Sequence, residues 1–221
     1  YKMVIKICDA VANDLHSYYK DIHREISYWA CLALCRMAKN SESNANRFWT
    51  EIKNIDGTDE EFLKGFYFRN QGDYQRAEWY YRQALEHSPN MQRAKRELVT
   101  VLLCQKCFDD ALSLAKENFE KDSDNTYHIH AYFRCLVRKH NLGREDIRII
   151  NNLMEAVKNS YSTKKDELSA AMDIEYQAYV RKTNVPKMLQ LISDYLHIYG
   201  DSMDVRRASN EYKLRQGIIS K

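Results

Sequence analysis

The chain is short of the two residues that build tight turns. It has 6 Gly and 2 Pro in 221 residues, where average usage gives about 15 and about 11. A β-sandwich or barrel draws heavily on both, so the shortage argues against sheet architectures. Gly-rich phosphate loops are excluded directly, because neither GxGxxG nor GxxxxGK[ST] occurs. No apolar run approaches the ~20 residues that cross a bilayer, so no membrane span is expected. Charge of one sign is also missing. Against 34 Lys and Arg stand 31 Asp and Glu, and the local balance is +1 for residues 1–57, −3 for 58–125 and +5 for 126–221. That asymmetry is too mild to steer a polyanion at physiological salt. Six Cys without a secretory signal imply reduced thiols and a cytoplasmic location.

What the chain has in quantity is helical periodicity. Val4, Ile7, Cys8, Val11, Leu15 and Tyr18 form one apolar stripe, and Ile22, Ile26, Trp29, Ala33 and Met37 form a second. Phe48, Trp49, Ile52 and Ile55 resume the period after a polar break. Thr58 is expected to cap the next helix, with Asp59, Glu60 and Glu61 at the positive end of its dipole. Helices then follow at about 59–70, 74–87, 92–104, 108–121, 126–139, 144–161, 164–182, 186–199 and 203–216, with Pro186 in a first turn. The expectation is an all-α chain of about eleven helices joined by two- to five-residue connections, as in antiparallel helix hairpins. The start at Tyr1, inside an apolar-periodic segment, reads as a piece of a longer polypeptide.

A fixed period runs through these hairpins. Gly65-x-x-Phe68 precedes Gly72-Asp73-Tyr74-x-x-Ala77-x-x-x-Tyr81-x-x-Ala84-Leu85-x-x-x-Pro89. Later, Leu98-Val99-x-x-Leu102 and Phe108-x-x-Ala111-x-x-x-Ala115 fill the same slots, and earlier Trp29-x-x-Leu32-Ala33 and Ala45-x-x-x-Trp49 do. The pattern resembles the tetratricopeptide repeat, a 34-residue helix–turn–helix unit. The resemblance implies an α-solenoid formed as one helical-repeat domain over 1–221: a partial repeat at 1–25, repeats at 26–57, 58–91 and 92–125, then degenerate repeats and a C-terminal capping helix over 126–221. It also implies that Gly65, Ala77, Ala84 and Ala111 sit where helices approach closest, while Tyr74, Tyr81 and Phe108 fill the gap to the next unit.

In this family the ligand usually lies in a concave groove lined by the first helix of each pair. Counting along those helices gives Phe62, Phe66, Arg69 and Asn70, with Asp59 beside them; then Arg93, Arg96 and Thr100; then Tyr127, His130, Arg134 and Arg138. Aromatics beside arginines suit an acidic peptide with apolar anchors. The carboxylate clamp of chaperone-binding members is missing, since Phe62 and Phe66 stand where its Lys and Asn would fall. Such arrays often form recognition segments of larger multidomain proteins, bacterial signalling and antiviral NTPases among them.

No catalytic set, cofactor or metal site is expected. Cys104-x-x-Cys107 and Cys31-x3-Cys35 have suggestive spacings, but they lie two repeats apart and read as small buried core thiols. His128-x-His130 points its rings apart on a helix, and His16 and His23 make a weak pair. Asp109-Asp110 and Asp166-Glu167 sit at helix starts, where the dipole accounts for them. An RNA-binding repeat array would repeat a basic, aromatic groove in every unit, and the acidic 58–125 stretch departs from that. The expected function is therefore a non-catalytic protein-interaction scaffold, with an RNA-binding repeat or an NTPase regulatory domain as alternatives.

Overall fold

The computed structural model describes residues 1–14 and 20–219; Leu15, His16, Tyr18 and the end of the first expected stripe lie outside the described residues. Among the described residues there are twelve α-helices and two short 3₁₀ turns, with no strand. They form two compact units, residues 1–107 and 108–221.

The first unit contains α1 (Lys2–Asp14), α2 (Lys20–Met37), α3 (Glu42–Glu51), α4 (Gly57–Gln71), α5 (Tyr74–His87) and α6 (Gln92–Cys104). Each helix packs on the next in sequence or on the next but one: α2 on α1, α3 and α4, then α4 on α5 and α6. The boundaries follow local chemistry. Gly72, at φ +84°, ends α4 in the left-handed conformation that a glycine adopts without steric cost. Its N–H donates to the Arg69 carbonyl, and the Asp73 N–H donates to that of Phe68. Asp73 then caps α5 by accepting from the Arg76 N–H at 3.0 Å, a cap worth about 1 kcal/mol. Thr58 does not cap α4: the helix begins two residues earlier than expected, at Gly57, and Asp56 holds the cap position.

The core of this unit is aromatic and small by turns. Phe48 stacks on Tyr67 at 4.5 Å, and Phe68 stacks on Tyr80 at 5.5 Å. Ala77, Tyr81 and Ala84 are fully buried on the inner face of α5. At the α4–α5 crossing Gly65 allows a close approach, because a Cβ there would lie 2.8 Å from two carbons of the Tyr81 ring.

The second unit contains α7 (Phe108–Lys121), α8 (Thr126–Leu136), α9 (Arg144–Lys158), α10 (Lys165–Tyr179), α11 (Val185–Tyr199) and α12 (Met203–Arg215). Helix α8 is its axis, packed by α7, α9 and α10 and buried at every position except Tyr127. Helix α10 joins this layer to α11 and α12 through a core of Ala171, Ile174, Met188, Ile192, Val205 and Tyr212. Asn184 accepts from the Lys187 N–H and Pro186 occupies the first turn of α11, where its missing N–H costs nothing. Phe108, expected to fill an inter-repeat gap, is 42% exposed.

Candidate functional site

In the first unit, α2, α4 and α6 turn one face outward together, and arginine side chains run along it. Arg93 of α6 donates to the Tyr28 hydroxyl at 2.6 Å and pairs with Asp59 of α4. Its guanidinium lies over two rings, 5.0 Å from the centre of Tyr28 and 4.9 Å from that of Phe62. Arg24 of α2 reaches the same carboxylate at 3.4 Å and Asp56 at 3.5 Å. Arg24, Asp56, Asp59 and Arg93 border an open depression of about 920 Å³ over the starts of α4 and α6. Farther along, Arg36 of α2 stacks over Tyr1 and Phe66, and Arg69 of α4 covers Phe66 at 4.8 Å. Arg69 also bridges to Glu97 of α6 at 3.2 Å, and Arg96 lies 3.7 Å from the same carboxylate.

This arrangement revises the expected groove. Phe62 and Phe66 are not apolar anchors open to a ligand: each is 4% exposed beneath its arginines. The Asn70 amide donates to its own helix at the Phe66 carbonyl, and the Thr100 hydroxyl does the same at Arg96. What covers these rings is guanidinium: Arg36, Arg69 and Arg93 lie over them at 4.8–5.4 Å. Arg24 and Arg36 belong to that face and were missed by counting, because α2 lies outside the best-matched repeats. The signal available for Arg36 was its place on the α2 face turned toward α4.

The second-unit candidates are placed otherwise. Glu175 of α10 is 2% exposed, with Arg134 at 3.3 Å and His130 at 3.8 Å from α8, and Arg138 at 3.3 Å from the turn that follows it. Arg138 continues to Glu211 of α12 at 2.6 Å, and the Tyr179 hydroxyl donates to that carboxylate at 2.8 Å. Arg207 pairs with Asp204 at 3.0 Å beside the cluster. His130, Arg134 and Arg138 therefore hold α8, α10 and α12 together and do not line an open groove. The adjoining void is about 10 Å³, at the lower limit for a single water. Tyr127, half-buried, is the sole α8 residue left outside the buried set.

Burial decides the ionisation here. Burial, with Arg207, Arg134 and Arg138 as neighbours, holds the His130 imidazole neutral, well below its ordinary 6.5. Burial opposes the charge on Glu211, but Arg138 and Arg134 outweigh it and bring its pKa down to about 2 from 4.5. Burial and the nearby Arg134 lower Arg207 to about 10. His130 and Glu211 make the second unit acid-labile. The unfolded chain takes up a proton at His130 below pH 6.5 while the fold does not, so stability falls from there; Glu211 adds to the loss as pH drops through 4.5 toward 2. Melting temperature measured from pH 7.5 to 4 should decline with an onset near pH 6.5. His130→Gln should remove that first limb, and an unchanged profile would refute the assignment.

All six cysteines are free thiols. Cys31 and Cys35 are buried as expected, and burial raises both thiols; burial also pushes Cys135 up to about 12. Cys104 and Cys107 are corrected from buried to exposed, since they flank the turn after α6 instead of facing its core. Iodoacetamide at pH 8 should alkylate these two at least about tenfold faster than Cys31, Cys35 and Cys135, as read by mass spectrometry; equal rates would contradict the placement. Among the described residues no three His, Cys, Asp or Glu side chains cluster in a way that could hold a metal, and no helix is long and apolar enough to cross a membrane. No protein-family model matches the chain, nor does any curated protein.

Proposed function

We propose that this chain is a tetratricopeptide-like helical-repeat module that binds an acidic peptide or protein segment on the arginine face of α2, α4 and α6. The observation that carries the reading is the composition of that face: Arg24, Arg36, Arg69, Arg93 and Arg96 against Asp56, Asp59 and Glu97. Rings beneath Arg36, Arg69 and Arg93 hold these guanidiniums in place, so little side-chain entropy is lost when they meet carboxylates. The recurrence of Ala77 and Tyr81 as Ala111 and Ala115, 34 residues on, with the close approach at Gly65, supports a repeat architecture. The module works by binding, as the recognition or regulatory segment of a scaffold. Its partner supplies carboxylates first and small apolar contacts second, because the aromatic anchors are already covered.

Fluorescence anisotropy with three labelled probes tests this: a Glu- and Asp-rich peptide carrying Leu residues, its Lys-substituted counterpart, and a uridine oligonucleotide. The acidic peptide should bind in the micromolar range, and Arg36→Glu with Arg96→Glu should weaken it at least about tenfold. Arg134 is unsuitable for such a test, because reversing its charge beside Glu175 would unfold the second unit. Equal binding of both peptides, or preferential binding of the oligonucleotide, would overturn the reading.

A further inference from the structure

Acidic and basic side chains are not evenly matched along the arginine face. At the starts of α4 and α6, Arg24 and Arg93 meet two carboxylates, Asp56 and Asp59. Around Phe66 the match fails. Arg36 and Arg69 both lie over that ring, 5.4 and 4.8 Å from its centre. Arg69 bridges to Glu97 at 3.2 Å, and the same Glu97 has Arg96 at 3.7 Å. Arg36 is exposed and, among the described residues, has no carboxylate within ion-pair distance. Its guanidinium rests instead against two rings, those of Tyr1 and Phe66.

This local surplus of positive charge selects the chemistry of what binds there. Even before Arg96 is counted, Arg36 and Arg69 have one carboxylate between them, and it is buried. A carboxylate ligand brings one charge and a single plane of oxygens, which suits one bidentate guanidinium. A phosphate monoester brings about −1.5 to −2 charge at pH 7 and three strong acceptor oxygens. Those oxygens point in different directions, so one phosphoryl group can meet a guanidinium of α2 and another of α4 or α6 together. Arginine fits this task better than lysine, because its donors form a rigid fork. The ring under Arg36 and Arg69 restrains both guanidiniums before the ligand arrives.

We propose that the partner segment is phosphorylated, and that Arg36, Arg69 and Arg96 around Phe66 form the site for its phosphoryl group. Resting on the reading of the α2, α4 and α6 face as a peptide-binding surface, the proposal names the group that anchors the peptide to it. The phosphate sits on a protein segment, not on a nucleic acid, because the exposed aromatic platform that stacks bases is missing here: Phe62 and Phe66 are covered.

Fluorescence anisotropy of the full chain tests this with the acidic, Leu-bearing peptide built around one serine. The peptide is prepared unphosphorylated, phosphorylated, and with Glu in place of the serine; a uridine oligonucleotide is the fourth probe. The phosphopeptide should bind at least about tenfold tighter than the Glu form. Its affinity should rise several-fold between about pH 5.5 and about pH 7.5, as the phosphate loses its second proton near pH 6. The Glu form, ionised throughout, should stay level. Arg36→Ala with Arg96→Ala should bring the phosphopeptide within about threefold of the Glu form, and Arg36→Lys should lose part of the preference with the charge kept. Arg69 stays in place, because its pairing with buried Glu97 supports the fold. Should the double variant lose helical content by circular dichroism, Arg36→Lys decides in its place. A phosphopeptide no tighter than the Glu form, or a preference that survives these changes, would overturn the proposal and leave the acidic-peptide reading standing. Binding of the oligonucleotide alone, or of none of the three peptides, would remove both.

Discussion

Replacing Glu175 with alanine should cost the second unit about 3–5 kcal/mol, the usual penalty for stripping the partner from buried charges. Arg134 and Arg138 both use this carboxylate, and their side chains are 8% and 6% exposed. Without it, Arg138 keeps Glu211, which lies partly open to water, and Arg134 loses the carboxylate at 3.3 Å. Glu175→Gln keeps the shape and loses the charge, so an intermediate cost follows. Glu78→Ala, which breaks an exposed pair with Arg82 on one helix, should cost no more than about 0.5 kcal/mol. Hydrogen exchange measures all three, at α8 amides for the Glu175 variants and at α5 amides for Glu78→Ala. Protection that falls no further in Glu175→Ala than in Glu78→Ala would contradict the buried network.

Gly65→Val should destabilise the first unit by about 2–3 kcal/mol, because the ring of Tyr81 already occupies the space that a side chain needs. Alanine should be milder, since its better helix propensity offsets about 1 kcal/mol. The Tyr81 hydroxyl is buried and has no hydrogen-bond partner among the described residues. Tyr81→Phe should therefore be neutral or slightly stabilising, and it should not rescue Gly65→Val. Tyr81→Leu should recover part of the loss by opening room at the crossing. Urea unfolding followed at α4 and α5 amides reads each effect, and a neutral Gly65→Val would contradict the close approach.

The helices and this crossing were legible in the sequence for a shared reason. Both rest on local spacing: the 3.6-residue period, Gly72 after the last turn of α4, and Asp73 three residues before Arg76. The fate of the charged residues was not legible, because it depends on partners far along the chain. Glu175 lies 37 residues beyond Arg138, and Glu211 lies 73 beyond it. Both stand on helices that match the repeat only loosely, so counting along the expected helix 126–139 placed His130, Arg134 and Arg138 on a surface that the fold closes. Phe62 and Phe66 failed differently. Their helix face was read correctly, but three arginines from α2, α4 and α6 cover them.

The most direct test of the account is an NMR titration of the arginine Nε–Hε signals with the acidic, Leu-bearing peptide. The signals of Arg36, Arg93 and Arg96 should shift in step with binding, while those of Arg134 and Arg138 stay in place. Binding that moves none of the first three would contradict the assignment of the α2, α4 and α6 face as the recognition site.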